Sequence, residues 1–344
     1  MSDVRPETRL YRPGEDDHLV VRLFNLVFEE KTTPELWRHK YAENPDGGWA
    51  FLTFVEGELV SVSGWPVRRL LLDGEVHRVV SMSDVMVHPA WRGRYGGRLG
   101  SIARPLWERI FTEAGIPFGV AFPNPKHYLV GKRFVRARDL GRFRTGVEVF
   151  SRFWRVRPLA ELLRRVTALR LRLPRGFEAE EISPGTVPPE TLALLDDLWG
   201  RVRRELRVAY VKDAVRLSWR YFRWEELSPE RRRRFILLRE GEEPRAFLSL
   251  REVFIGGMKG FELEEIVCSR SEAGRALGAA RCLAVRAGGH FLRYLLSPAL
   301  GLSATPEREV PALWRTFACR GEIEDLEGRL DPERWHLTLG DTAV

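Results

Sequence analysis

Between Trp49 and Leu99 the order of elements is dictated almost residue by residue. Trp49 to Val55, Leu59 to Trp65 and Val67 to Leu72 read as strands, joined at Glu56-Gly57 and closed by Asp73-Gly74, a strong hairpin signal. A further strand, Val76 to Val87, ends in the stretch VMVHPAWRGRYGGRL at Val85–Leu99. Here an apolar run breaks at His88-Pro89, packs arginine and glycine into six residues, and resumes with amphipathic spacing. This is an antiparallel meander whose last strand enters a helix through a glycine-rich turn. Glycine lets the backbone approach a ligand closely, and exposed N–H groups at a helix start attract anions, so such a turn can hold a phosphate.

Two helices are predicted before the meander. The acidic run Glu15-Asp16-Asp17 suits a helix start, followed at helical spacing by Leu19, Val20, Leu23, Phe24 and Val27. A second helix takes Thr33 as cap and Pro34 at its first position, and stops before Asn44-Pro45. After the turn, Leu99, Ile102, Ala103, Leu106 and Ile110 share one helical face, with Pro105 expected to kink that helix or shift its boundaries. Ile116 to Phe122 reads as a short buried strand, Pro123-Asn124-Pro125 as its closing turn, and Gly146 to Phe153 as a last strand completing the unit.

The same order then recurs in worn form. LWRHKY at 36–41 resembles SWRYFR at 218–223, the turn at Gly57 resembles that at Gly241, Asp84-Val85-Met86-Val87 resembles Glu265-Ile266-Val267-Cys268, and Phe134 resembles Phe317. Four shifts of nearly equal size, in one order, point to duplication of a domain-sized unit. A chain of 344 residues also exceeds the usual single core. The expected division is 1–153, a helical linker at 154–176 with a basic face, and 177–344.

No run of about 18 apolar residues and no signal-peptide pattern is present, so a cytoplasmic protein with no membrane partner is expected. The net charge is +8 with only six lysines, and the arginines are scattered over the whole chain, as in a solvated surface. Cys268, Cys282 and Cys319 form no CxxC pair and read as free thiols, not as a metal site or nucleophile.

The element order and the glycine-rich turn together resemble the GNAT superfamily of N-acetyltransferases in tandem form, over most of 8–150 and more weakly over 177–340. Val87-His88-Pro89-Ala90 followed by Arg92-Gly93-Arg94-Tyr95-Gly96-Gly97 is similar to the family's Arg/Gln-x-x-Gly-x-Gly/Ala motif, with Tyr95 where the first glycine stands. The resemblance implies an α/β (α+β) fold of two tandem GNAT-like domains, each a mixed, mostly antiparallel twisted sheet flanked by helices, the second one degenerate. It implies acetyl-CoA or another acyl-CoA as co-substrate and no metal. The pyrophosphate would lie on the amides of Arg92, Gly93, Arg94, Tyr95, Gly96 and Gly97, the pantetheine arm on Val85, Met86 and Val87, and Asn124, at the turn after the fifth strand, would also bind the cofactor. Asp84 is the candidate base, Tyr128 the candidate acid, with His127 beside it. Where the loop should recur, Cys268-Ser269-Arg270-Ser271-Glu272-Ala273-Gly274 lacks the clustered glycines, so only the first half is expected to bind the cofactor.

The function implied is transfer of an acyl group to a primary amine by direct attack in a ternary complex, the acceptor being a small molecule or peptide seated between the halves. A transferase using charged transfer RNA, favoured by basic charge, and a non-catalytic acyl-CoA-binding scaffold are the alternatives. The glycine-rich turn favours CoA over nucleic acid. Nothing in the sequence fixes the oligomeric state.

Overall fold

The structure is a computed structural model and describes residues 5–29, 31–97, 99–150, 157–317, 326 and 329–342. Its first half opens with Glu7–Leu10 (β1), Asp17–Val27 (α1) and Pro34–Tyr41 (α2). Thr33 caps α2 as expected, its side chain accepting from the Leu36 amide ahead of Pro34. Gly48–Val55 (β2), Glu58–Leu72 (β3) and Glu75–Ser81 (β4) make the meander. The turn between β3 and β4 has Asp73 and Gly74 both at positive φ, the backbone a two-residue hairpin needs. Ser83–Val87 (β5) follows as a separate strand, so the expected strand 76–87 is broken at Met82.

The expected helix from Leu99 starts later. Pro105 can sit only in a first turn, where its missing N–H costs nothing, and Arg104–Glu113 (α3) begins there. Short 3₁₀ turns at Pro89–Trp91, Arg94–Gly97 and Leu99–Ser101 fill the interval. Phe118–Ala121 (β6), Pro125–Val130 (α4) and Arg138–Val149 (β7) close this half.

Arg157–Arg170 (α5) leads to the second half: Glu178–Ile182 (β8), Pro189–Val202 (α6), Val208–Tyr210 (β9), and a helical stretch from Ala214–Leu217 (α7) to Trp224–Leu227 (α8). Arg233–Glu240 (β10), Glu243–Ile255 (β11) and Met258–Cys268 (β12) form a second meander, followed by Ala273–Arg286 (α9), Phe291–Leu296 (β13) and Thr305–Thr316 (β14). Trp335–His336 (β15) and Leu339–Thr342 (α10) end the described chain. Helices, meander, helix and two strands thus follow in the same order as in the first half.

The strands join in one mixed, mostly antiparallel sheet of order β1-β2-β3-β4-β6-β14-β7-β13-β12-β11-β10-β8. At its centre the two halves share strands. β7 ends at Val149, and it lies between β13 and β14 of the second half, not beside β6. β6 takes β14 as its neighbour, Val120 opposite Trp314. Each half therefore lends its last long strand to the other. The repeated tryptophan motifs also meet: the Trp219 indole donates to the His39 carbonyl at 3.0 Å, His39 Nε2 lies 2.8 Å from the Trp219 carbonyl, and the rings stack at 5.0 Å. Separate apolar cores form under each meander, around Trp37 and Trp107 in the first half and around Phe261 and Leu277 in the second. Cys268 and Cys282 are free and buried; Cys319 lies outside the described residues.

Candidate active site

β5 is irregular at one point. Against β3, Val62 faces Met86 but Gly64 faces Ser83, so Asp84 and Val85 together oppose a single residue. This is a β-bulge, and Asp84 takes the left-handed conformation there, at φ +48°. The bulge turns the carboxylate toward α2: Asp84 Oδ2 accepts from the Tyr41 hydroxyl at 2.6 Å and lies 2.6 Å from Lys40 Nζ. Burial lowers the Lys40 pKa, although Asp84 opposes the shift, and burial together with Asp84 raises that of Tyr41 well above the ordinary phenol value. Gly64 makes room for the arrangement, since a Cβ there would stand 1.8 Å from the Tyr41 hydroxyl.

The bulge also opens the sheet. β4 and β6 run parallel only at Val80–Gly119 and Ser81–Val120, and Met82 still donates to the Val120 carbonyl at 3.2 Å. Beyond that the strands part, because β5 follows β3 while β6 follows β14. The wedge between them is a cavity of about 330 Å³ lined by Ser83, Asp84 and Val85 on one side and Phe122, Asn124 and His127 on the other. Asn124 caps α4 through a bond from the His127 amide, which fixes the imidazole at the wedge. Burial lowers the His127 pKa.

A second cavity, of about 550 Å³, lies between the halves. α1 and α2 supply one wall, with Phe24, Trp37 and Lys40, and the second half supplies the other, with Arg220, Trp224 and Glu264. Asp84 lines this cavity as well as the wedge. A single carboxylate at a strand bulge thus stands where two chambers meet.

The first part of the chain, residues 9–129, matches the family described as acetyltransferase (GNAT) domain. Residues 9–129 form a GNAT domain. Nearly the whole chain shares its fold with GNAT structures: a GCN5-related N-acetyltransferase from Kribbella flavida (TM-score 0.62, 16% identity, 90% of this chain and 71% of that one) and one from Anabaena variabilis (TM-score 0.62, 9% identity, 91% and 73%). Saccharomyces cerevisiae N-myristoyltransferase with bound myristoyl-CoA is also similar (TM-score 0.58, 12% identity, 91% and 85%). No curated protein sequence matches the chain.

Within the GNAT domain, the glycine-rich loop lies past the open edge of β5. Arg92, Gly93 and Arg94 are exposed, Gly93 is at φ +78°, and Tyr95 is at φ +52°. Tyr95 therefore holds a left-handed backbone that glycine favours, and its ring stacks on Trp91 with centroids 6.4 Å apart. The 3₁₀ turn containing Gly96 and Gly97 stands where the first turn of an α-helix was expected, so the loop amides are not the N-terminus of α3. Arg92 Nε reaches back to the Val87 carbonyl at 3.3 Å. Val85 lines the wedge, whereas the Met86 side chain is buried against Trp37 and Tyr41. Tyr128 lines neither cavity; its hydroxyl donates to Asp139, with Lys132 beside it.

The second half offers a contrast. Its β12 is bulged at the corresponding place, where Glu264 is the extra residue, held by Arg233 and Arg251. The wedge that β12 would open is filled by the end of the chain. His336 Nε2 lies 3.1 Å from the Ile266 carbonyl, and the close approach of Gly340 to the Glu264 carbonyl leaves no room for a side chain. Asp341 anchors this tail in a buried ion cluster, 2.8 Å from Lys212 and 2.6 Å from Arg68, with Glu265 2.7 Å from Lys212. At the turn after β12 the Arg270 amide donates to the Glu205 carboxylate at 3.1 Å.

Sequence reasoning did not single out Lys40 or Tyr41. The signal that could have done so is their place one turn after Trp37 on the helix flanking Asp84. Among the described residues no three His, Cys, Asp or Glu side chains converge as metal ligands, and no helix is long and apolar enough to cross a membrane.

Proposed function

We propose that the chain is an acyl-CoA-dependent N-acyltransferase, most simply an acetyltransferase, working through its GNAT domain alone and by direct attack. The observation that carries this reading is Asp84 lining both cavities. The open edge of β5, with Ser83 and Val85, and Asn124 opposite would hold the pantetheine arm, whose thioester supplies the acyl group. Arg92, Arg94 and the amides of the 93–97 loop would take the diphosphate, the guanidinium charges standing in for an α-helix N-terminus. We read the two halves as a duplicated unit divided within 154–176, the second one retained as a wall of the acceptor chamber.

In this reading the acceptor amine enters from the cavity between the halves. Asp84 takes the proton the amine loses as its nitrogen attacks the thioester carbon. Lys40 and Tyr41 hold the carboxylate in place through their contacts with Oδ2. An N–H on the free edge of β5 stabilises the oxygen charge that develops, and the departing thiolate takes its proton from water admitted at the wedge, which Tyr128 does not line and where burial favours the neutral imidazole of His127.

The test is thiol release from acetyl-CoA with an amine panel, together with the melting temperature. Acetyl-CoA raises the melting temperature, and Asp84→Asn keeps that shift while lowering kcat/KM by about 10²- to 10⁴-fold. Undiminished turnover in Asp84→Asn overturns the role of Asp84. Absence of any acetyl-CoA binding overturns the function.

A further inference from the structure

The helix that connects the halves, α5, carries an apolar stripe on its outer side. Leu159, Leu162, Val166 and Leu169 recur at intervals of three and four residues and so share one face, over about 15 Å of the axis. All four are exposed, Leu162 to 58% and Leu169 to 81%. The fold uses the opposite side of the helix: Ala160 is buried, Leu163 and Thr167 are half-buried, and Arg164 donates to the Val285 carbonyl at the end of α9 at 2.8 Å. Leucines scattered singly over a surface need no explanation, but a row of them along one helix marks a face that something covers.

The charge along the same stretch says what kind of surface that is. Residues 157–172 hold five arginines and one glutamate. The glutamate, Glu161, is bound by Arg164 and Arg165 of its own helix, at 2.5 and 2.9 Å. Arg165 and Arg170 are exposed and flank the stripe on its two sides, and exposed Arg172 follows just past the helix end. Among the described residues no carboxylate of another element pairs with Arg164, Arg165, Arg170 or Arg172. A second apolar projection stands at the same end of the molecule. Phe254, 64% exposed, and Ile255 form the tip of the β11–β12 hairpin, closed by Gly256 and Gly257 at positive φ. Phe254 lies opposite Lys259, whose carbonyl accepts from the His290 amide at 2.9 Å, and the His290 imidazole lies 3.8 Å from Glu161 on α5.

A second copy of the chain related by a two-fold axis would lay this arginine-flanked stripe on itself, with its one carboxylate already engaged, so that like charges meet. An anionic bilayer meets both demands at once: leucines enter the boundary between headgroups and hydrocarbon, while arginines at their sides reach back to the phosphates. We infer that α5, with the Phe254–Ile255 tip near it, is a peripheral docking surface for an anionic lipid bilayer, the helix axis lying in the plane of the interface. Such contact needs no helix long enough to cross a membrane. No residue of α5 lines either cavity, so the inference stands apart from the acyltransferase reading.

Co-sedimentation of the full chain with vesicles of phosphatidylcholine alone, and of phosphatidylcholine with about 30% phosphatidylglycerol, measures the contact without turnover. Binding to the anionic vesicles is expected to be about tenfold tighter or more. Leu162→Gln combined with Leu169→Gln weakens it by about tenfold, and the melting temperature holds because both side chains are already exposed. Phe254→Ser weakens it further. Arg170→Gln combined with Arg172→Gln removes most of the preference for anionic vesicles. The leucine pair separates docking from the general attraction of a chain of net charge +8, which those substitutions leave unchanged. Equal binding by the parent and the leucine variant, equal binding to both kinds of vesicle, or binding to neither overturns the inference. So does light scattering that shows a dimer in the parent and a monomer in the leucine variant, because the stripe then belongs to a second copy.

Discussion

Two residues in the GNAT domain hold backbone or space that their neighbours depend on. Tyr95 sits at φ +52°, where a side chain costs about 1–2 kcal/mol relative to glycine. Replacing it by alanine removes the ring from Trp91 and keeps the strain, whereas replacing it by glycine removes both. Tyr95→Gly is therefore expected to be more stable than Tyr95→Ala by about 1 kcal/mol in urea denaturation. Gly64 shows the opposite need. A methyl there would collide with the Tyr41 ring, which is itself buried and cannot retreat. Gly64→Ala should destabilise by about 1–3 kcal/mol and release Tyr41 from Asp84. A fall in turnover of tenfold or more, with acetyl-CoA affinity within twofold of the parent, is the expected kinetic signature.

Among the elements, the tail Trp335–Thr342 decides which half keeps a cavity. His336 is fully buried, and its pKa is pushed down to about 3 by burial and by Lys212. The unfolded chain protonates this histidine near pH 6.5 while the folded one does not until about pH 3. Between those values the unfolded state holds more protons, so stability falls as pH falls, by up to about 1.4 kcal/mol per pH unit from this group. His336→Gln should flatten the stability profile between pH 6 and 4, measured by urea titration at each pH, and lower stability at neutral pH by loss of the contacts to Ser297 and Ile266. Little of this tail was legible in the sequence. The meander, the Thr33 cap and the Asp73-Gly74 turn were legible because their signals are local. The bulge at Asp84 was not, since it arises from how β5 meets β3 and α2. The later start of α3 was half-visible in Pro105. Tyr128 and His127 are adjacent in sequence, and only the Asn124 cap decides which of them faces the wedge.

At the scale of the whole molecule, β6–β14 and β7–β13 are pairings between residues more than a hundred positions apart, for which strand patterns carry no partner information. They make the proposed domain division testable. A chain cut within 151–156 yields a first piece whose β7 has lost β13 and β14, and a second whose β14 has lost β6 and β7. Unpaired strand edges of that length aggregate. Each piece expressed alone is expected to be insoluble, and the two expressed together to co-purify with the melting behaviour of the intact chain. Soluble, separately folded pieces would rule out the exchange. An arrangement in which each partner holds part of the other's backbone bears on inheritance as well as folding. The trailing half can drift far in sequence, yet a descendant lineage cannot simply delete it, because the leading half would be left missing a stave.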